Sequence, residues 1–62
     1  MNNLHNIRVK NNLEIKELVE DINKKFGTQY EVHHIWEWEN GENEPKMEDA
    51  LVLGKYFDVP HQ

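Results

Sequence analysis

The sequence predicts a single all-α domain over residues 1–62, a compact bundle of four short helices. Three observations point there. Apolar residues recur at intervals of three and four, as on one face of a helix. No alternating stretch is long enough to make a useful strand. Gly27, Asn40, Gly41, Pro45 and Pro60 punctuate the chain where helices would stop or start.

The first helix is predicted over residues 3–11, with Leu4 and Ile7 on one side of a largely polar segment. The second, over residues 14–26, carries Ile15, Leu18, Val19, Ile22 and Phe26 in amphipathic spacing, and Gly27 follows as a left-handed stop. The third runs from about residue 31 to the "ENG" ending at Gly41, where Asn and Gly favour a cap and a turn. The fourth spans residues 46–57 after Pro45, with Met47, Ala50, Leu51, Gly54 and Phe57 on one face and Leu53 beside them. Val59 follows, and Pro60 ends the pattern. Short connections between short helices favour a compact bundle.

Composition removes several function classes. There is no cysteine, hence no disulfide framework or zinc–thiolate cluster to supplement a core this small. There is no serine nucleophile and no glycine-rich phosphate loop, and the carboxylates fall on helix surfaces; an enzyme is not expected, nor is a small-molecule substrate or cofactor. No apolar run approaches the roughly 20 residues that cross a bilayer, and the N-terminus lacks a secretory core. A cytoplasmic protein without membrane contact is expected.

Charge is unevenly placed. Seven of the twelve acids lie in residues 31–50, against one base, Lys46; elsewhere five acids meet six bases. One third of the molecule therefore carries the negative charge, which repels nucleic acid locally and favours a basic partner.

"WENGENEP" (residues 38–45) followed by "MEDALVLGKYFDV" resembles the Cro/CI-type helix-turn-helix family, also called the XRE family. Its pattern is a W-E-N-G-x-x-x-P turn, a helix of L-x-x-L-x-x-L-A type and a Y-F-x-V tail. "LEIKELVEDI" (residues 13–22) resembles the family's second helix, and the likeness covers residues 4–59. It implies a Cro/CI repressor-like fold, with a fifth helix that is short or absent here. "NKKFGTQYE" (residues 23–31) inserts about six residues relative to the usual L-G-V-S turn. A similar K-K-F-G insertion occurs in repressors and partner regulators of temperate phages of Gram-positive bacteria. The resemblance thus implies a phage-type genetic switch in the cytoplasm of a bacterial host.

Several positions depart from the family. Ile15 stands where a glutamine commonly grips a DNA phosphate. Val32, His33, Trp36 and Glu37 match the base-facing positions of the third helix, while Ile35 and Trp38 match inward ones. No lysine or arginine occurs from Tyr30 to Glu39, although phosphate binding and base reading rely chiefly on Arg, Lys, Asn and Gln. Trp36 cannot share a narrow stripe with Ile35 and Trp38. It is either exposed, at an interface, or folded back over the second helix as core. The first alternative gives an apolar centre of Ile15, Val32 and Trp36 with a rim of Glu31, Glu37, Glu39 and His33.

That face predicts binding to the basic DNA-binding domain of a cognate repressor, as antirepressor (modulator-of-repression) proteins of such phages do. The alternative is direct operator DNA binding as a dimer, with Lys24 and Lys25 on phosphates and His33 and Asn40 near the duplex. A dimerisation module with no regulatory partner is a third reading. Several of these residues have a plainer account. Asn40 and Gly41 suit the turn itself, and Lys24 and Lys25 suit a solvated helix end. His33 and Glu37 stand four apart, but no further ligands accompany them, so no metal is expected. Both His33 and His34 are expected to meet a partner or water, with some sensitivity to pH.

Overall fold

The computed structural model describes residues 3–58. Four helices follow one another: α1 (Leu4–Lys10), α2 (Ile15–Phe26), α3 (Val32–Glu39) and α4 (Met47–Phe57). Among the described residues there is no strand, and no helix is long and apolar enough to cross a membrane. Residues 59–62, and with them the question of a fifth helix, lie outside the described residues.

Helix α1 turns Leu4 and Arg8, one turn apart, into the bundle, so its buried stripe is half apolar and half cationic. Arg8 and Lys10 in the last turn suit the negative end of the helix dipole. Asn12 then takes a left-handed φ of 59°, a conformation asparagine tolerates better than most residues. The chain reverses there into α2.

Helix α2 is the spine. Leu18, Val19 and Ile22 are buried along it, matching the spacing of its apolar residues. Its start is fixed by Glu17, whose carboxylate accepts the backbone N–H of Glu14 at 2.9 Å. Its end is fixed by Gly27 at φ 67°, where the glycine N–H reaches the Asn23 carbonyl at 2.9 Å. Phe26 ends up more exposed than the spacing predicts, at the last residue of the helix.

The link from α2 to α3 hangs on Asn23. Its Nδ2 donates to the Tyr30 carbonyl at 2.9 Å, and its Oδ1 accepts from the Tyr30 N–H at 2.9 Å and the Thr28 hydroxyl at 2.7 Å. One amide thus satisfies both backbone groups of Tyr30. Helix α3 buries Ile35 and Trp38 and ends in a Schellman turn. There the Glu42 N–H bonds the Glu37 carbonyl at 2.9 Å, and Gly41 supplies φ 74°.

Helix α4 departs from the predicted face. Its buried residues are Leu53 and Gly54, with Val52, Tyr56 and Phe57 packed against the core, whereas Met47 is 82% exposed and Leu51 also meets solvent. Two tyrosine hydroxyls explain the rotation. Tyr30 donates to Asp49 at 2.6 Å, and Tyr56 donates to Asp21 on α2. Positions 49, 53 and 56 therefore face the bundle, and Met47 and Leu51 swing outward.

The core comprises Leu4, Leu18, Val19, Ile22, Ile35, Trp38 and Leu53. Helix α2 packs against both α3 and α4, and α3 also against α1. Each fully buried aliphatic side chain contributes about 1.5–3 kcal/mol, so the five here, Leu4, Leu18, Ile22, Ile35 and Leu53, give a small domain little margin. The function-bearing consequence is geometric: α3 is held on one side only, and its other side is open.

Candidate functional site

The open side of α3 carries Val32 and Trp36, one helical turn apart and 45% and 49% exposed. Trp36 is not folded into the core. Its indole and the half-buried Ile15, at the start of α2, line one hollow of about 490 Å³ with His5, Asn6, Arg8, Glu39 and Asn40. The structure therefore brings Ile15 and Trp36 together. Val32 extends the apolar strip toward the start of the helix.

The expected acidic rim is only partly present. Glu31 is exposed, with its carboxylate 3.4 Å from Nδ1 of the exposed His33. Glu37 is half-buried and accepts the Asn43 amide at 2.9 Å. It lines a second hollow, of about 380 Å³, on the other flank of α3.

Glu39 does not belong to the rim. Its side chain is 4% exposed and points inward to Arg8, itself 11% exposed. The Arg8 Nε donates to Glu39 Oε2 at 2.5 Å, and its Nη2 donates to Oε1 at 3.0 Å. The second terminal nitrogen of Arg8 donates to the Leu13 carbonyl at 2.7 Å, and His5 Nδ1 lies 3.0 Å from Glu39 Oε1. A fork-on-carboxylate pair of this kind is strong and directional. It ties α1 to α3 and to the turn before α2. Burial pushes the Glu39 carboxyl up, but hydrogen bonds from Arg8 and then His5 outweigh it and hold it below its ordinary value. The bond to Glu39 raises the Arg8 guanidinium in turn, against the opposing effect of burial.

Arg8 is the residue that pattern reasoning passes over, being counted as one surface base among seven. A signal for it exists: it follows Leu4 by four positions, on the inward face of α1. An arginine there needs a buried anion, and Glu39 provides it from 31 positions away.

The residues proposed for phosphate contact are dispersed. Lys24 and Lys25 sit in the last turn of α2, and the Lys25 ammonium lies 5.2 Å from the centre of the Tyr56 ring on α4. Asn40 spends its side-chain N–H on the Trp36 carbonyl at 2.8 Å, closing the end of α3. His33 turns toward Glu31 and Glu37 toward Asn43, so this pair does not converge. Among the described residues no three His, Asp or Glu side chains gather as a metal site.

Trp38 and His34 occupy the flank between the core and the second hollow. Trp38 meets the Tyr30 ring edge-on at 5.5 Å, and His34 stacks at 6.4 Å from Trp38. The Tyr30 phenol is raised well above its usual range, first by burial and then by its hydrogen bond to Asp49. What the α3 face can offer is therefore contact: hydrocarbon at its centre, two carboxylates and an imidazole beside it. Comparison of the chain with protein-family models, curated proteins and solved structures gave no match in any of the three.

Proposed function

We propose that this chain is a small, non-enzymatic transcriptional regulator of temperate-phage type with a Cro/CI-like helix-turn-helix fold. It acts in the bacterial host cytoplasm by binding the DNA-binding domain of a cognate repressor, as an antirepressor. The observation that carries the reading is the half-exposed Trp36 indole beside Ile15, on a helix face with no lysine or arginine. The resemblance of "WENGENEP" and its flanks to the family supplies the helix-turn-helix assignment, and the order and lengths of α2, α3 and α4 are compatible with it.

The physical logic is one of matched faces. A repressor's DNA-reading surface is basic, because phosphate contacts demand it. Glu31 and Glu37 give such a surface opposite charge, and Trp36, Val32 and Ile15 give it an apolar centre. An interface of ordinary size covers roughly 800 Å² per partner, a modest part of the 4583 Å² accessible here. Operator and antirepressor would then compete for the same basic face.

The test mixes the purified chain with its repressor. A complex whose affinity falls with salt is expected, and Trp36→Ala weakens it by about thirtyfold or more, as for a central aromatic anchor. Circular dichroism verifies that the variant stays folded. Absence of a complex at micromolar concentrations would refute the proposal, as would tight, sequence-selective gel-shift of operator DNA by the chain alone.

A further inference from the structure

Helices α2, α3 and α4 begin with the same device. The side chain three positions into each helix turns back and accepts the backbone N–H of the residue before it. In α2 this acceptor is Glu17, and in α4 it is Asp49, 3.0 Å from the Lys46 amide. In α3 it is Nδ1 of His34, 3.0 Å from the Glu31 amide. The three acceptors differ in one respect. A carboxylate accepts throughout the neutral range, whereas an imidazole nitrogen accepts only while it carries no proton. A backbone amide can only donate, so Nδ1 is bare and the ring proton of neutral His34 sits on Nε2.

We infer that His34 is a proton-operated cap: protonation at Nδ1 releases the first turn of α3 while α2 and α4 stay capped. Histidine is the side chain that ordinarily changes charge between about pH 5 and 8. The charged ring has somewhere to go. On its own segment it neighbours the Glu31 carboxylate and Glu37. Across the second hollow stand Glu44, Lys46, Glu48 and Asp49, four carboxylates in all with Glu37 against one ammonium. Two further features stand beside the ring. The His33 ring lies 4.3 Å away between centroids, and the positive end of the helix dipole is close. Tyr30 meets His34 edge-on at 6.3 Å, but its hydroxyl is committed to Asp49. Proton uptake therefore exchanges a cap for ion pairing in the acidic hollow, and the turn carrying Val32 and His33 loosens. This goes beyond the proposed function, because it depends only on the helix end and not on what α3 binds.

Amide NMR of the intact protein between pH 8 and 5 tests it. The Glu31 amide resonance should move upfield in step with the His34 ring titration, and its exchange protection should fall roughly fivefold, as expected for a lost cap. The Glu14 and Lys46 amides should stay in place over that range. His34→Gln, whose amide oxygen accepts at any pH, should abolish the Glu31 shift; His33→Gln should retain it. A Glu31 amide unmoved while the wild-type His34 ring titrates would overturn the inference, as would a shift that persists in His34→Gln.

Discussion

Helix α3 holds two tryptophans two positions apart, and its two faces use them in opposite ways. Two steps turn the helix by about 200°, so Trp38 is sealed against Tyr30 at 7% exposure while Trp36 stays half in water. The inward face also takes in a charge, Glu39, which most helices would leave outside. The outward face keeps hydrocarbon, which most helices would bury. The contrast teaches that residue type alone does not assign a side. Glu39 is inside because Arg8 is there to meet it, and Trp36 is outside because nothing among the described residues covers it.

The sharpest way to break the comparison is to truncate both indoles. Trp38→Ala should cost about 3–5 kcal/mol, enough to leave a domain of this size largely unfolded. Trp36→Ala should stay within about 0.5 kcal/mol. Urea unfolding followed by circular dichroism measures both, and equal losses would erase the distinction between the faces.

The ion pair comes next. Arg8→Ala strands a buried carboxylate and should cost about 3 kcal/mol. The pH dependence sharpens the point. Because the Glu39 carboxyl is lowered on folding, its contribution is complete above the ordinary value of 4.5 and is lost as pH falls through the lower folded value. In Arg8→Ala only His5 remains beside the buried carboxyl, so less of this acid-labile stability is left to lose. The urea midpoint should therefore fall less steeply between pH 6 and 3 in the variant than in the wild type.

The smallest effect concerns the far side of the bundle. Tyr56→Phe removes one hydrogen bond to Asp21 and should cost about 1 kcal/mol. Burial, and then that bond, push the Tyr56 phenol from 10.0 up to about 12. Its contribution is thus full below pH 10 and declines as pH rises toward 12. An alkaline unfolding titration should show a shallower loss in the variant over that interval.

Much of the framework was legible in the sequence. Leu18, Val19 and Ile22 announce α2 by spacing, Gly27 and Gly41 mark helix ends by their backbone freedom, and the separation of Ile35 and Trp38 from Trp36 follows from helical geometry. The misplaced parts involve contacts between distant segments. Glu39 looks like one more solvated acid until Arg8 is folded beside it. The rotation of α4 depends on where the Tyr30 and Tyr56 hydroxyls find carboxylates, so Met47 and Leu51 could not be placed by periodicity. Helix geometry separated Trp36 from Ile35 and Trp38 but left open whether its indole folds back over α2; the folded chain leaves it 49% exposed.

Asn23 carries a consequence for the shelf life of the protein. Its side-chain N–H and carbonyl together grip Tyr30, and asparagine is among the heat-labile residues. Deamidation would replace the N–H with a second carboxylate oxygen, facing the Tyr30 carbonyl with like polarity. Chemical ageing at this single atom would then loosen how α3 is presented well before the apolar interior gave way.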